Sequence, residues 1–290
     1  ISFSQTDPYF TIDGVSRSFE VYNRRTDPSE LNLGDYIIET TGAGLRFGYP
    51  ISEFERISFG GGYEGTDLEV GPFSPDRFQR YVDDFGNSSY AVLLNAGYSF
   101  DSRDSAIAPT RGRVTRLTAE YATPLGDQEF IRTTYQEQFY YPIGKQYTLA
   151  LNGEITGGFG LGGSPYPIFR NVYAGGIGTV RGYRSSTLGP RDADNVPIGG
   201  SKRVIANAEF FFPIPGMTKD RTFRAFTFLD AGNVFQSNEK VKLGELRYST
   251  GVGISWLSPV GPLKFSLGVP LNREPQDETQ RVQFTIGTGF

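Results

Sequence analysis

The sequence predicts an all-β fold, a transmembrane antiparallel β-barrel, and three observations carry that prediction. Apolar and polar residues alternate along most of the chain, the period-two signature of strands with a single apolar face. The alternating runs are about 10–14 residues long, beyond the mode of about 5–6 in globular proteins and enough to cross a membrane when tilted. Short turns alternate with long polar connections, as periplasmic turns and extracellular loops do. A soluble sandwich or propeller would bury the apolar faces inside, whereas a barrel in lipid turns them outward around a polar lumen.

The first two strands, expected over 1–10 and 15–25, flank the turn at Asp13-Gly14. In the third, 36–50, Thr41, Ala43, Leu45, Phe47 and Tyr49 share a face, backed by Gly42, Gly44, Arg46 and Gly48. A turn from Pro50 to Glu53 leads into 54–69, and a polar connection over 68–89 leads into 89–104. The turn from Pro109 to Gly112 opens 112–124, where Leu117, Ala119 and Tyr121 alternate with Arg116, Thr118 and Glu120. Strands 129–142 and 146–160 meet at the turn from Pro142 to Lys145; in the second, Leu149, Leu151 and Ile155 alternate with Asn152 and Glu154. The longest connection, 160–201, is rich in Gly and Arg. After it, 202–213 sets Val204, Ala206, Ala208, Phe210 and Phe212 against Asn207 and Glu209, so Glu209 should point inward.

Strands at 222–236, 245–258, 262–272 and 280–290 complete a set of about thirteen. In the last, Val282, Phe284 and Ile286 alternate with Gln283, Thr285, Gly287 and Gly289. Aromatics gather at strand ends (Tyr9-Phe10, Phe139 to Tyr141, Phe210 to Phe212, Phe290), where an interfacial girdle would lie. No segment shows a sustained helical period, so helices are expected to be few and short.

Composition narrows the chemistry. The 290 residues include no His, no Cys, one Met and one Trp, against 24 Phe, 17 Tyr and 37 Gly. An imidazole base, a thiolate nucleophile, a disulfide framework and a Cys/His zinc site are all ruled out. No enzyme activity, cofactor or metal is therefore expected. A net charge of -4 argues against a nucleic-acid partner, which would require a basic stripe. No apolar run approaches the length of a membrane helix. The opening ISFSQTD has neither the basic nor the apolar region of a signal peptide; if the protein is exported, a mature chain or a fragment is expected.

Other constellations read as ordinary surface or lumen. Arg46, Arg116, Glu120, Glu154, Glu209, Arg224 and Asp230 suit a wall in contact with water. The run Gly175 to Gly178 lacks the spacing and following helix of a nucleotide cradle. Asp83, Asp84, Asp192 and Asp194 suit solvated loops, and Ser185 and Ser186 have no base to activate them.

The motif Val180-Arg181-Gly182-Tyr183, set in YAGGIGTVRGYRSSTLGP, closely resembles the VRG[FY] loop of the BamA/TamA superfamily of outer-membrane assembly factors. The stretches DPYFTIDGV from Asp7, FLDAGNV from Phe228 and LSPVGPL from Leu257 are similar to other segments of the BamA-like branch, as is the terminal aromatic Phe290. The resemblance spans the whole chain. It implies that the loop folds into the barrel, where Arg181 pairs with Glu209 and Asp230 on the inner wall. It implies a sixteen-stranded barrel preceded by periplasmic POTRA domains, so residues 1–290 are expected to be a partial C-terminal barrel lacking those domains and the first strands. It also implies an outer-membrane location in a Gram-negative cell, with nascent outer-membrane proteins, assembly lipoproteins and the lipid bilayer as partners. Non-covalent insertion would proceed at a seam formed by the last strand, with Phe284, Ile286, Gly287, Gly289 and Phe290. A TamA-like or two-partner-secretion barrel and a passive porin are the alternative expectations.

Overall fold

Successive side chains of a strand point to opposite faces, so one strand can serve two environments. The computed structural model describes residues 1–27, 35–72, 74–214, 216, 222–259 and 261–287. Its thirteen-stranded sheet is antiparallel throughout, and each strand pairs with its neighbours in sequence. The strands are β1 (Ser2–Asp7), β2 (Ser16–Thr26), β3 (Tyr36–Pro50), β4 (Glu55–Val70), β5 (Ser88–Asp101), β6 (Gly112–Ala122), β7 (Phe130–Ile143) and β8 (Tyr147–Gly160). They continue through β10 (Lys202–Pro213), β11 (Phe223–Phe235), β12 (Arg247–Ser258), β13 (Gly261–Pro270) and β15 (Val282–Ile286). Two-residue strands β9 (Gly182–Tyr183) and β14 (Thr279–Gln280) form a separate ladder. Among the described residues, β1 and β15 pair on one side only.

The burial pattern is the reverse of that in a soluble protein. On β8, Leu151 and Ile155 are exposed while Thr148, Asn152 and Thr156 are buried. On β15, Val282, Phe284 and Ile286 are exposed and Gln283 is buried. Phe59, Leu94, Leu117, Val252, Phe265 and Leu267 extend the same exposed apolar band across the sheet. An apolar band of this extent suits lipid rather than water. The inward polar groups hydrogen-bond one another: the Asn152 amide accepts from Gln136 and donates to Asn207.

The sheet curls around the connection between β8 and β10. That loop touches β3 through Tyr36 and Tyr173, and β4 through Glu64 and Arg170. It reaches β11 through Asp230 and β15 through Gln283. Contacts from β3 round to β15 place the loop inside the curve.

Several boundaries differ from the sequence reading. The first strand ends at Asp7, because residues 8–14 form a tight turn closed by the Gly14 amide bonding to the Thr11 carbonyl. The strand expected to reach 104 stops at Asp101, where the Asp104 carboxylate gathers the Thr110 and Arg111 amides into a turn. The last strand divides: Thr279-Gln280 pairs with Gly182-Tyr183, and only Val282–Ile286 joins the main sheet. Gly289 and Phe290 lie outside the described residues, so the aromatic end expected at Phe290 does too.

The connection over 68–89 contains a helix, α1 (Asp76–Phe85). Phe78, Tyr81, Val82 and Phe85 follow helical spacing, a short periodic signal that the alternation of the flanking strands overshadows. Phe78 stacks on Tyr36 and packs with Leu68 and Ile168, so the helix caps the long-loop end of the curve.

Candidate functional site

Within the 161–201 loop, Ala174, Val180, Tyr183 and Leu188 pack on Ile205 of β10 and Val234 of β11. This small apolar cluster seats the motif and brings Arg181 against the wall. Asp230 of β11 faces Asn207 of β10 across the ladder, and Glu209 lies two residues further along on the same inner face.

Arg181 is 2% exposed, Glu209 1% and Asp230 0%. The Arg181 guanidinium grips Asp230 in a forked pair, with Nε donating to Oδ2 at 2.7 Å and Nη2 to Oδ1 at 2.6 Å. Its backbone amide donates to Oδ2 of the same carboxylate at 3.0 Å. Its Nη1 donates to Glu209. The structure thus brings Arg181, Glu209 and Asp230 together.

Neighbours outside the predicted trio complete the cluster. Lys264 of β13 donates to both Glu209 oxygens, at 2.8 and 2.9 Å. Two cations and two carboxylates therefore share one buried site with formal charges balanced, the condition under which buried charge is tolerated. Asn207 donates to Asp230 at 2.8 Å and to the Thr179 carbonyl at 2.6 Å. The guanidinium also lies over the Phe228 ring, 3.7 Å from its centroid. The rings of Phe226 and Phe228 cover Gly253 and Gly251 of the neighbouring strand, where any Cβ would collide with them. Lys264 was detectable in principle, since it shares its inward parity with Ser266. Phe226 and Phe228 were not, because inward aromatics break the alternation.

The rest of the motif reaches toward the end of the chain. Gly182 adopts φ +85 and lies against the backbone of Gly268 in β13, an approach that leaves no room for a side chain on Gly268 and little on Gly182. Its amide donates to Gln283 of β15 at 3.3 Å, and the Gln283 amide nitrogen donates back to the Tyr183 carbonyl at 2.7 Å. The Tyr183 hydroxyl donates to the Tyr248 carbonyl of β12. The β9–β14 ladder and the Arg184–Glu278 ion pair add a second tie just before β15. Phe284 and Ile286 point outward into the apolar band, and Gly287 ends the described strand with φ +125.

Among the remaining sequence candidates, Glu120 faces the lumen beside Arg132 and Arg170, and Glu154 pairs with Arg203. Asp192 accepts the Asp194 and Val196 amides within its own turn.

An apolar exterior, a hydrogen-bonded polar interior and a loop folded inward onto a buried ion cluster define a transmembrane β-barrel of the outer-membrane type. The chain belongs to the Omp85 superfamily, whose domain model matches residues 1–290. The outer membrane protein assembly factor BamA of Neisseria meningitidis serogroup B is 36% identical over all of this chain and 41% of its own length. BamA of Nitratidesulfovibrio vulgaris is 27% identical over 92% of this chain and 35% of its own. The chain therefore spans well under half the length of these relatives. The crystal structure of Haemophilus ducreyi BamA lacking POTRA domains 1–3 superposes with a TM-score of 0.91 at 24% identity, covering 98% of this chain and 60% of that one.

Proposed function

We propose that this chain is the membrane barrel of an outer-membrane protein assembly factor, one that binds nascent barrel proteins and helps their strands enter the bilayer. It works in the outer membrane of a Gram-negative cell, and residues 1–290 serve as the C-terminal barrel of a longer protein with POTRA domains and lipoprotein partners. The observation that supports this reading best is the locked loop: Arg181 bolts it to Glu209 and Asp230, and Gln283 joins it to β15. β15 is the last strand of the described sheet and the seam strand of the proposed barrel, so opening of the seam exposes its outer edge. An unpaired edge presents a row of N–H and C=O groups to an extended segment, and main-chain pairing can then template the incoming strand. No bond is made or broken in such a step. The loop's role is to hold that edge, with Phe284, Ile286 and Gly287, in register against β13.

The test is reconstitution of the full-length protein in liposomes, with a urea-unfolded outer-membrane barrel as client. Folding, read by heat-modifiable gel mobility, is expected to run faster than in empty vesicles, and Arg181→Ala is expected to lose most of that acceleration. Equal rates with and without the protein would overturn the proposal. A large steady conductance in planar bilayers would favour a porin instead.

A further inference from the structure

The 161–201 loop carries a second arginine that reaches wall carboxylates, Arg170. Arg170 closes the short 3-10 turn Ile168–Arg170, and its carbonyl accepts the Tyr166 hydroxyl at 3.1 Å. Its guanidinium donates to Glu64 of β4, and Nη1 lies 3.6 Å from Glu120 of β6. The Arg170 side chain is 13% exposed and that of Glu64 is 9%. Tyr22 of β2 donates its hydroxyl to the other Glu64 oxygen, which fixes that carboxylate from the strand behind. Arg132 of β7 pairs with Glu120 at 3.3 Å, so two cations again face two carboxylates. The Phe130 ring lies beneath the guanidinium, 5.4 Å away.

This cluster repeats the chemistry of the Arg181 site on different strands. Its wall partners come from β2, β4, β6 and β7, whereas those of Arg181 come from β10, β11 and β13. One loop is therefore fastened by charge to both halves of the sheet, fully buried at Arg181 and partly buried at Arg170. Between the fastenings, Tyr173 contacts Tyr36 of β3 and its carbonyl accepts from Arg203 of β10. A segment held at two points has less freedom than one held at either alone, and each fastening restrains the wall as well as the loop.

We propose that Arg170 is a positioning residue: with Glu64 and Glu120 it latches the loop to the N-terminal half of the sheet, so that the loop bridges the lumen as a strut. The strut sets the spacing of the two sheet halves. This goes beyond the assembly reading and does not depend on it, because the readout is structural.

The test is amide exchange of the full chain in detergent micelles, read by mass spectrometry. Arg170→Gln is expected to raise exchange in 168–173 about ten-fold or more while 180–184 and the strands change less than about two-fold. Glu64→Gln should do the same, and the double variant should add little to either single one. Tyr22→Phe, which keeps every charge and removes only the hydroxyl behind Glu64, should raise exchange in 168–173 by about two- to three-fold. Unchanged exchange in 168–173 in these variants, an equal rise in 180–184, or fully additive effects in the double variant would each overturn the latch.

Discussion

Arg181 illustrates why a buried charge has to be judged with its whole environment. Replacing it with Ala removes the forked cation from Asp230, which keeps the Asn207 amide, while Glu209 keeps Lys264. The unpaired carboxylate should cost about 3–5 kcal/mol, measurable as a lower midpoint of denaturant unfolding in micelles. Arg181→Lys should recover less than half of that loss, because a point charge cannot reproduce the forked grip on Asp230. Gly268→Ala is a purely steric counterpart. Its methyl would press into the Gly182 backbone, which lies 2.7–2.9 Å from the ideal Cβ position. A loosened motif is expected, read as faster exchange of the Gly182 and Arg184 amides with the outer sheet unchanged. At this scale Glu209 was legible from parity alone, since Asn207 and Glu209 share the inward face. Asp230 was legible as a wall residue, but its pairing with Arg181 came only from the family motif, because Phe226 and Phe228 on the same inward face hide the alternation of its strand.

The strands show the same logic as repeating units. Most read as apolar on one parity and polar or glycine on the other, and their long matched ladders follow from that repeat. A charge on the outward parity therefore has to sit in lipid. Ile155→Arg near the middle of β8 should cost about 2–4 kcal/mol of stability in phospholipid vesicles, while an inward change such as Thr134→Ser should cost little. Helix α1 calls for a different measurement. Phe78 is 1% exposed between Tyr36, Leu68 and Ile168, so Phe78→Ala should undock the helix and make trypsin cut at Arg77 or Arg80 at least several-fold faster. Cleavage no faster than in the parent protein would mean the cap is held by other contacts. The helix could have been found from four residues, but ten residues of helical spacing between two long alternating strands form a weak signal.

For the molecule as a whole, the two charge clusters act together. Trypsin should cut Arg191 slowly in the parent protein and in either single variant, Arg181→Ala or Arg170→Gln, and quickly only when both are combined. Rapid cutting in one single variant would show that a single fastening carries the loop. Alternation and turn residues were enough to determine a lipid-facing sheet of about thirteen strands, because those properties are local: parity is set by the backbone, and turns by the residues that fit them. The geometry of the loop on the wall, and how Lys264, Gln283 and Arg170 enter, were decided only by tertiary structure. Arg170 and Glu64 are 106 residues apart, and no periodicity relates a loop to a wall. Only the curl of the sheet, which wraps distant strands around one segment, brings those charges within reach of each other.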